Sequence, residues 1–174
     1  MTRQSAGLLL WRRAGDGVEL LLGHPGGPLF ARKDLGVWSI PKGEFLSDEE
    51  PLVAAYREFA EELGSAPPDG EPVPLGEVRL RSGKRVVVWA QEGDLDVTTM
   101  VSNDFSMVWP PGSGRLQSYP ELDRAAWFDP DEARRRLGPG QVPFVDRLLA
   151  VVPPAPQRSG NTERADGGSD GRGR

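Results

Sequence analysis

The chain has 174 residues, of which 21 are Lys or Arg and 26 are Asp or Glu, so its net charge is −5. This acidic balance argues against bulk attraction to nucleic acid or to a membrane surface, and the absence of cysteine excludes disulfides, thiolate catalysis and cysteine metal sites. We expect one folded domain over residues 1–152 and a disordered polar tail over residues 153–174, which are rich in Gly, Ser, Arg and Asp. No apolar run is long enough for a signal sequence or a membrane span, so we expect a soluble cytoplasmic protein.

Two apolar runs near the N-terminus predict a β-hairpin. Residues 5–13 and 18–24 carry near-continuous leucines on either side of a glycine-containing turn. Such runs are typical of strands that are covered on both faces. A glycine-rich loop over residues 25–35 follows, then a short strand over residues 37–40, and then a loop at residues 41–43 that leads towards a helix.

The helix is predicted by its ends and by its periodicity. Asp48, or alternatively Ser47, is the expected N-cap, and Pro51 is tolerated only in the first turn. Gly64 supplies a left-handed residue just past the end of the helix. A core-facing stripe at helical spacing is formed by Leu52, Ala55, Phe59 and Leu63.

Three carboxylates lie beside that stripe. Glu58, Glu61 and Glu62 stand at i, i+3 and i+4, which at about 100° per residue places them within roughly a third of a turn of one another. Like charges beside a buried edge repel unless a cation holds them, and hard cations such as Mg²⁺ take carboxylate oxygens as ligands. The pattern therefore predicts a divalent-cation site, and the alternative is a solvated acidic helix face.

The second half of the chain predicts further strands and two more helices. The segments are, in order, a proline-rich connector over 67–74, a hairpin of strands over 75–81 and 85–92, a polar stretch over 92–104, a strand over 105–109, a long loop over 110–120 and a last strand over 124–128. Asp129 as N-cap and Pro130 as first residue open a helix that ends at Leu137. The final helix is predicted over residues 142–151, with inward positions at Phe144, Leu148 and Leu149. This order of elements fits a layered α/β arrangement.

The spacing of residues around the acidic helix resembles the signature of the Nudix hydrolase family. The seven matching positions are Gly43, Glu49, Arg57, Glu58, Glu61, Glu62 and Gly64. At average residue usage, a chance match of this kind is roughly 10⁻⁸ per window. Ser65 stands where the family usually has an aliphatic residue, and Phe59 is bulkier than usual, but neither position carries metal chemistry.

The resemblance implies a fold class and a reaction. The implied fold is α/β, the Nudix fold, with a mixed β-sheet sandwiched between α-helices and a loop-helix-loop metal-binding motif. The implied reaction is hydrolysis of a pyrophosphate bond in a nucleoside diphosphate linked to another group, with Mg²⁺ as cofactor and Mn²⁺ as the alternative ion. The expected partner is a small nucleotide, with no specific nucleic acid and no membrane, and the oligomeric state stays open.

The resemblance and the helix geometry together assign roles near the metal. Glu58 and Glu62 are expected to be metal ligands, and Glu61 a ligand or the catalytic base. Arg57 is expected to hold a glutamate in place through a two-pronged ion pair. Gly43 lets the backbone approach the ion closely, with its carbonyl as a further ligand.

Further roles lie around this centre. Lys42 is expected to contact phosphate. Glu49 is expected to be a structural hydrogen-bond acceptor, and Gly64 is expected to end the helix. Glu121, six residues before Trp127, resembles the distal glutamate that several Nudix enzymes, diadenosine tetraphosphate hydrolases among them, use as base or extra ligand. The alternative for Glu121 is a surface glutamate in a loop.

The residues that bind the rest of the substrate are less specific. Candidate cations for phosphate are Arg32, Lys33, Arg79, Arg81, Lys84, Arg85 and Arg115. We expect Arg79 and Arg81 to share a strand face and contact phosphate jointly. The candidates to stack on a base are Trp38, Trp89, Trp109 and Tyr119, of which we expect one or two, Trp38 first, to do so and the others to be core residues. His24, the single histidine, is expected to be structural. The first-choice substrate is a dinucleoside polyphosphate or a nucleoside triphosphate; ADP-ribose, a nucleotide sugar, or nucleotide sensing without turnover are the alternatives.

Overall fold

The computed structural model describes residues 4–153, which form eight strands and three helices. The strands are β1 Gln4–Ala14, β2 Gly17–Pro25, β3 Lys42–Glu44, β4 Val73–Arg79, β5 Arg85–Glu92, β6 Asp104–Val108, β7 Leu116–Pro120 and β8 Leu122–Phe128. The helices are α1 Pro51–Leu63, α2 Pro130–Arg136 and α3 Pro143–Val151. The predicted polar tail, apart from Pro153, lies outside the described residues. No helix within residues 4–153 combines the length and the apolar content that a membrane crossing requires.

The main sheet is mixed and has β1 at its centre. Its strand order is β4-β5-β1-β2-β8, and β3 pairs with β1 as a sixth strand. β1 runs parallel to β5, while every other pairing in this sheet is antiparallel. β6 and β7 form a separate two-stranded sheet. Both predicted hairpins, β1–β2 and β4–β5, are confirmed.

Side chains of β1 alternate between two helical layers. Leu8 and Leu10 pack in a cluster with Phe59 of α1. Leu9 and Trp11 point to the opposite face, where they join buried residues of α2 and α3. Because both faces are covered, the near-continuous leucines of the first hairpin are buried, as predicted. The sheet is therefore sandwiched between helices, which confirms the α/β arrangement.

The strand that leads into the acidic helix lies later than predicted. The prediction of a strand over 37–40 and a loop at 41–43 is wrong, because Trp38 and Ser39 form only isolated bridges and the strand is β3. β2 pairs with β1 from Trp11 onwards, which leaves the polar backbone groups of the first β1 residues without partners on that edge. β3 fills this gap, with Gly43 opposite Ala6.

A second strand lies where a loop was expected. The prediction of a long loop over 110–120 is wrong, since β7 occupies its last five residues and pairs with β6. Phe105 lies opposite Tyr119 in this pairing, and their ring centroids are 6.1 Å apart. Cross-strand aromatic pairs of this kind stabilise a two-stranded hairpin.

The C-terminal helices follow the prediction with one exception. Asp129 caps α2, accepting a hydrogen bond from the Glu132 N–H at 2.9 Å. In α3, Phe144 and Leu148 are buried, but Leu149 is 40% exposed and Val145 is buried instead. At about 100° per residue, Leu149 lies further from the centre of the buried face than Val145 does. The inward assignment of Leu149 is therefore wrong.

The packing of α1 on β1 generates a stability prediction. Replacing the fully buried Phe59 by Ala leaves a cavity between helix and sheet, which should lower the free energy of unfolding by about 3–5 kcal/mol. Val53 lies on the same helix and is 58% exposed, so Val53→Ala should change that free energy by no more than about 0.5 kcal/mol. Urea unfolding of both variants checks this, and equal losses in the two would contradict the packing described.

Candidate active site

Helix α1 is held at both ends by backbone-directed contacts. The predicted N-cap, Asp48 or Ser47, is wrong: Glu50 is the N-cap, and its carboxylate accepts a hydrogen bond from Val53 N–H at 3.0 Å. Pro51 is the first helical residue, where its fixed φ suits the helix, and this places the cap at the residue before it. At the other end Gly64 is left-handed, with φ 77°, as predicted.

The last two turns of α1 present the acidic side chains. Glu58 is buried, and Glu61 and Glu62 are half-buried. Glu121 lies between β7 and β8, and its pKa is raised by burial and then by the nearby negative charges of Glu58 and Glu61. These four carboxylates are called the acid cluster below. The role of Glu121 as base or extra ligand stays a prediction, and the influence of the two α1 acids on its pKa is consistent with it.

The ionised form of Glu62 is destabilised within the acid cluster. Burial raises the pKa of Glu62 to about 8, against the opposing effect of Lys42, and the charges of Glu121 and Glu58 add to the rise. Burial likewise raises the pKa of Glu58, although Arg57 opposes that shift. Such shifts mean that the ionised forms are less stable here than in water.

Arg57 holds two acidic side chains. Its Nε donates to one carboxylate oxygen of Glu49 at 2.9 Å and its Nη2 to the other at 3.1 Å, which is a two-pronged ion pair. Its Nη1 donates to Glu58 and lies 3.4 Å from Glu61 Oε2. The hydrogen bonds from Arg57 lower the pKa of Glu49. Arg57 therefore ties the loop before α1 to the acid cluster.

Two lysines border the cluster. The backbone N–H of Lys42 donates to Glu62 Oε2 at 3.2 Å, and burial lowers the pKa of the Lys42 ammonium although Glu62 opposes that shift. The charge of Lys84 lowers the pKa of the Lys42 ammonium further. Lys84 also pairs with Glu44 of β3 at 3.1 Å. In the sequence Lys84 is one of several candidate cations for phosphate. Its position directly after Gly83 in the turn is the signal that distinguishes it from the others.

Gly43 has no room for a side chain. A Cβ built on Gly43 would lie 1.8 Å from Glu58 Oε2. Glu58 therefore rests directly on the backbone of β3, and the antiparallel pairing of β3 with β1 sets that contact. The predicted close approach of the backbone at Gly43 is present, and the group that makes the approach is a carboxylate of the acid cluster.

Trp38 is not available to stack on a base, so that assignment is wrong. It is 2% exposed, its ring makes edge contacts with His24 and Phe128, and its Nε1 donates to Asp34 at 3.0 Å. The segment that carries Trp38 runs between the sheet and α2, which places the ring in the core. His24 is also internal, with its ring nitrogens 2.8 Å from Asp123 Oδ1 and 2.7 Å from the Lys33 carbonyl oxygen.

Arg79 and Arg81 do not share a strand face. β4 ends at Arg79, and Arg81 lies in the turn that follows, where Leu80 N–H donates to the Lys84 carbonyl at 2.8 Å. Because β4 ends two residues earlier than predicted, the alternation that would align the two arginines stops before Arg81. Both are exposed, and within residues 4–153 neither forms a salt bridge with the acid cluster.

The donor chemistry of the acid cluster fits a hard divalent cation. Mg²⁺ takes carboxylate and backbone carbonyl oxygens as ligands. The acid cluster offers partly buried carboxylates that repel one another, and Glu58 lies against the backbone of Gly43. In the part of the chain that the structure describes, no three acidic or histidine side chains converge on one point as metal ligands. Glu58 is turned to Arg57 and Glu62 accepts from Lys42, so holding an ion requires these side chains to turn from their present partners.

Comparisons with known proteins agree with this architecture. A model of the NUDIX domain family matches residues 1–148. A C. elegans Ap4A hydrolase in a binary complex is 19% identical with a TM-score of 0.58, over 84% of this chain and 96% of that chain. The NUDIX domain of Shewanella oneidensis NrtR, complexed with ADP ribose, is 16% identical with a TM-score of 0.55, over 86% and 88%. The M. smegmatis Nudix hydrolase RenU is 24% identical with a TM-score of 0.52, over 85% and 84%. At these identities the likeness is one of fold, and no curated protein matches the sequence.

The raised pKa of Glu62 generates a prediction for the ion-free protein. The stabilisation that the protonated Glu62 carboxyl contributes is complete below about pH 4.5 and is lost as the pH rises through about 8. Glu62→Gln keeps a neutral side chain, so its free energy of unfolding should exceed the parent's by about 0.5–2 kcal/mol at pH 8.5 and should differ less at pH 5. Urea unfolding in EDTA measures the difference.

Glu71→Gln is the matched control, because Glu71 is exposed and lies outside the acid cluster. It should change the free energy of unfolding by no more than about 0.5 kcal/mol at either pH. A Glu62→Gln protein that is less stable than the parent at pH 8.5 would show that the Lys42 contact outweighs the repulsion among the acids.

Proposed function

Since this chain belongs to the Nudix family of pyrophosphohydrolases, we propose that it hydrolyses a pyrophosphate bond in a nucleoside diphosphate linked to another group, with Mg²⁺ as cofactor. The single observation that supports this reaction is the acid cluster itself. Four carboxylates crowd the end of α1 beside two lysines, which suits a site that holds both a divalent cation and phosphate oxygens.

Glu58 and Glu62, with the Gly43 carbonyl, are the residues that would hold Mg²⁺, or Mn²⁺ as the alternative ion. When bound, the ion supplies charge neutralisation for the pyrophosphate oxygens and makes a water molecule more acidic. Arg57 keeps Glu49 and Glu58 in place through its hydrogen bonds. Its loss would therefore let the loop before α1 and the ligand side chains move independently.

Lys42 and Lys84 are the cations that we assign to phosphate. The charge of Lys84 lowers the pKa of the Lys42 ammonium, and Lys42 is tied to Glu62 through its backbone N–H. A polyphosphate chain brought to the acid cluster offers both lysines negative oxygens, which relieves their mutual repulsion. Arg79 and Arg81, which we expected in this role, would be secondary contacts from the turn after β4.

Glu121 is the residue that we assign as general base. Burial and the charges of Glu58 and Glu61 raise its pKa, and a base whose pKa approaches the working pH removes a proton from water more effectively. Glu61 is the alternative base or a further ligand, and its carboxylate lies 3.4 Å from the Arg57 guanidinium. Because this carboxylate already contacts Arg57, we prefer Glu121 as the base.

The preferred substrates are dinucleoside polyphosphates and nucleoside triphosphates, with ADP-ribose and nucleotide sugars as the alternative. The Ap4A hydrolase and the ADP ribose complex among the structural neighbours illustrate both choices. With Trp38 internal, we assign the nucleobase contact to the half-buried, paired rings of Phe105 and Tyr119, on the β6–β7 hairpin that directly precedes Glu121.

A substrate panel tests the reaction. We expect Mg²⁺-dependent turnover, with ATP and AMP formed from diadenosine tetraphosphate, or nucleoside monophosphate and pyrophosphate formed from a triphosphate, identified by mass. Products from ADP-ribose or a nucleotide sugar alone would select the alternative substrates. Glu58→Gln should reduce kcat/KM by at least about 100-fold, because it weakens charge stabilisation at the reacting phosphate.

The control for this experiment is again Glu71→Gln, which should keep the parent rate because Glu71 is exposed and is not one of the four carboxylates of the acid cluster. Tight nucleotide binding without turnover of any panel member would contradict the proposed hydrolysis and indicate a sensing domain. Turnover that is unchanged in EDTA would contradict the role of the divalent ion.

A further inference from the structure

A short segment, residues 101–103, lies across the C-terminal end of α1 and is called the strap below. The last carbonyl groups of a helix lack partners inside the helix. Here Asn103 N–H donates to the Glu61 carbonyl at 2.9 Å, and Val101 N–H donates to the Leu63 carbonyl at 3.4 Å. The strap therefore binds to the turn of α1 that presents Glu61.

Gly64 allows the strap to lie directly on the helix end. A Cβ at Gly64 would be 2.4 Å from the Val101 carbonyl oxygen and 2.9 Å from its nitrogen. Gly64 therefore serves the close approach of the strap as well as the left-handed helix end.

The other side of the strap binds the residues at the start of β8. Glu121 N–H donates to the Asn103 carbonyl at 2.7 Å, and Leu122 N–H donates to Ser102 Oγ at 3.0 Å. The Ser102 hydroxyl in turn donates to the Asn103 carbonyl at 3.2 Å. Asn103 thus links the backbone of Glu61 to the backbone of Glu121 through a single residue.

We propose that Ser102 is a positioning residue, whose hydroxyl sets the distance between Glu121 and the carboxylates of α1 through the Asn103 carbonyl. This inference rests on the proposed function, because it concerns the base of that reaction. Glu121 lies just before β8, and its backbone is held from two sides. Its N–H donates to the strap, and its carbonyl accepts a hydrogen bond from Gly26 N–H at 2.9 Å. Small misplacements of a reacting group reduce rates strongly, by up to about 100-fold for 1 Å.

The test is a double-mutant cycle between Ser102→Ala and Glu121→Gln, with Mg²⁺ and the best substrate of the panel. Glu121→Gln alone should lower kcat by about 10²–10⁴-fold. Ser102→Ala should lower kcat by about 10- to 100-fold and leave KM within about threefold. In the Glu121→Gln background, Ser102→Ala should have no further effect beyond about twofold, because the group that it positions is gone.

Two matched variants separate positioning from general damage. Ser102→Thr keeps the hydroxyl and should keep the parent kcat within about threefold. Ser118→Ala removes another hydroxyl, which donates to Asp104 on the exposed β6–β7 hairpin, and should also keep the parent kcat. If Ser102→Ala fails to fold, Ser102→Cys, whose thiol is a weak acceptor, takes its place in the cycle.

Amide hydrogen exchange of the metal-free protein gives a second readout that does not depend on turnover. Exchange at Leu122 N–H and Glu121 N–H should be faster in Ser102→Ala and unchanged in Ser102→Thr and Ser118→Ala. Unchanged exchange in Ser102→Ala would overturn the inference, as would parent kcat in that variant or the same fold-loss of kcat in both backgrounds. Parent-like kcat in Glu121→Gln would overturn it too, while leaving Mg²⁺-dependent hydrolysis standing. A parent protein without turnover would overturn the proposed function and this inference together.

Discussion

Repulsion among four carboxylates at the end of α1, one buried and three half-buried, is the constraint on which the rest of the structure depends. Three of the carboxylates come from one helical edge and the fourth, Glu121, from the start of β8. Arg57 offsets the repulsion on one side and Lys42 on the other, yet the pKa of Glu62 still rises to about 8. An arrangement that destabilises its own ionised side chains is typical of a functional site, where stability is traded for a binding or catalytic geometry.

The fold holds these charges together by ordinary packing and backbone pairing. β1 is buried on both faces, so α1 is held against one face through Phe59 and the two C-terminal helices cover the other. β3 occupies the free edge of β1 and brings Gly43 beneath Glu58. On the far side, residues 101–103 cap the helix end and bind the backbone of Glu121. Every carboxylate of the cluster is therefore attached to an element that a separate set of contacts fixes.

The features that sequence predicted well are local ones. Helix α1 was predicted from periodicity and Gly64, and the two hairpins of the main sheet from the glycine turns between apolar runs. The errors concern features that depend on distant partners: β3 forms because the first residues of β1 need hydrogen bonds, and β7 because β6 offers a cross-strand partner. Trp38 failed as a substrate residue for the same reason, since its burial is decided by α2 and His24 rather than by its neighbours in sequence. The helical spacing predicts the three acids of α1. Which cations lie beside them, Lys84 above all, depends on how the strands are arranged and cannot be read from the sequence.

The most direct measurement of the central claim is the affinity for Mn²⁺, followed by electron paramagnetic resonance and by competition with Mg²⁺. The parent should bind Mn²⁺ with displacement by Mg²⁺, and the Glu58→Gln/Glu62→Gln double variant should lose at least about tenfold in affinity, because it lacks two anionic oxygen ligands. The Glu71→Gln protein should bind as the parent does. A double variant that binds Mn²⁺ as tightly as the parent would contradict the claim that the acid cluster exists to hold a divalent cation.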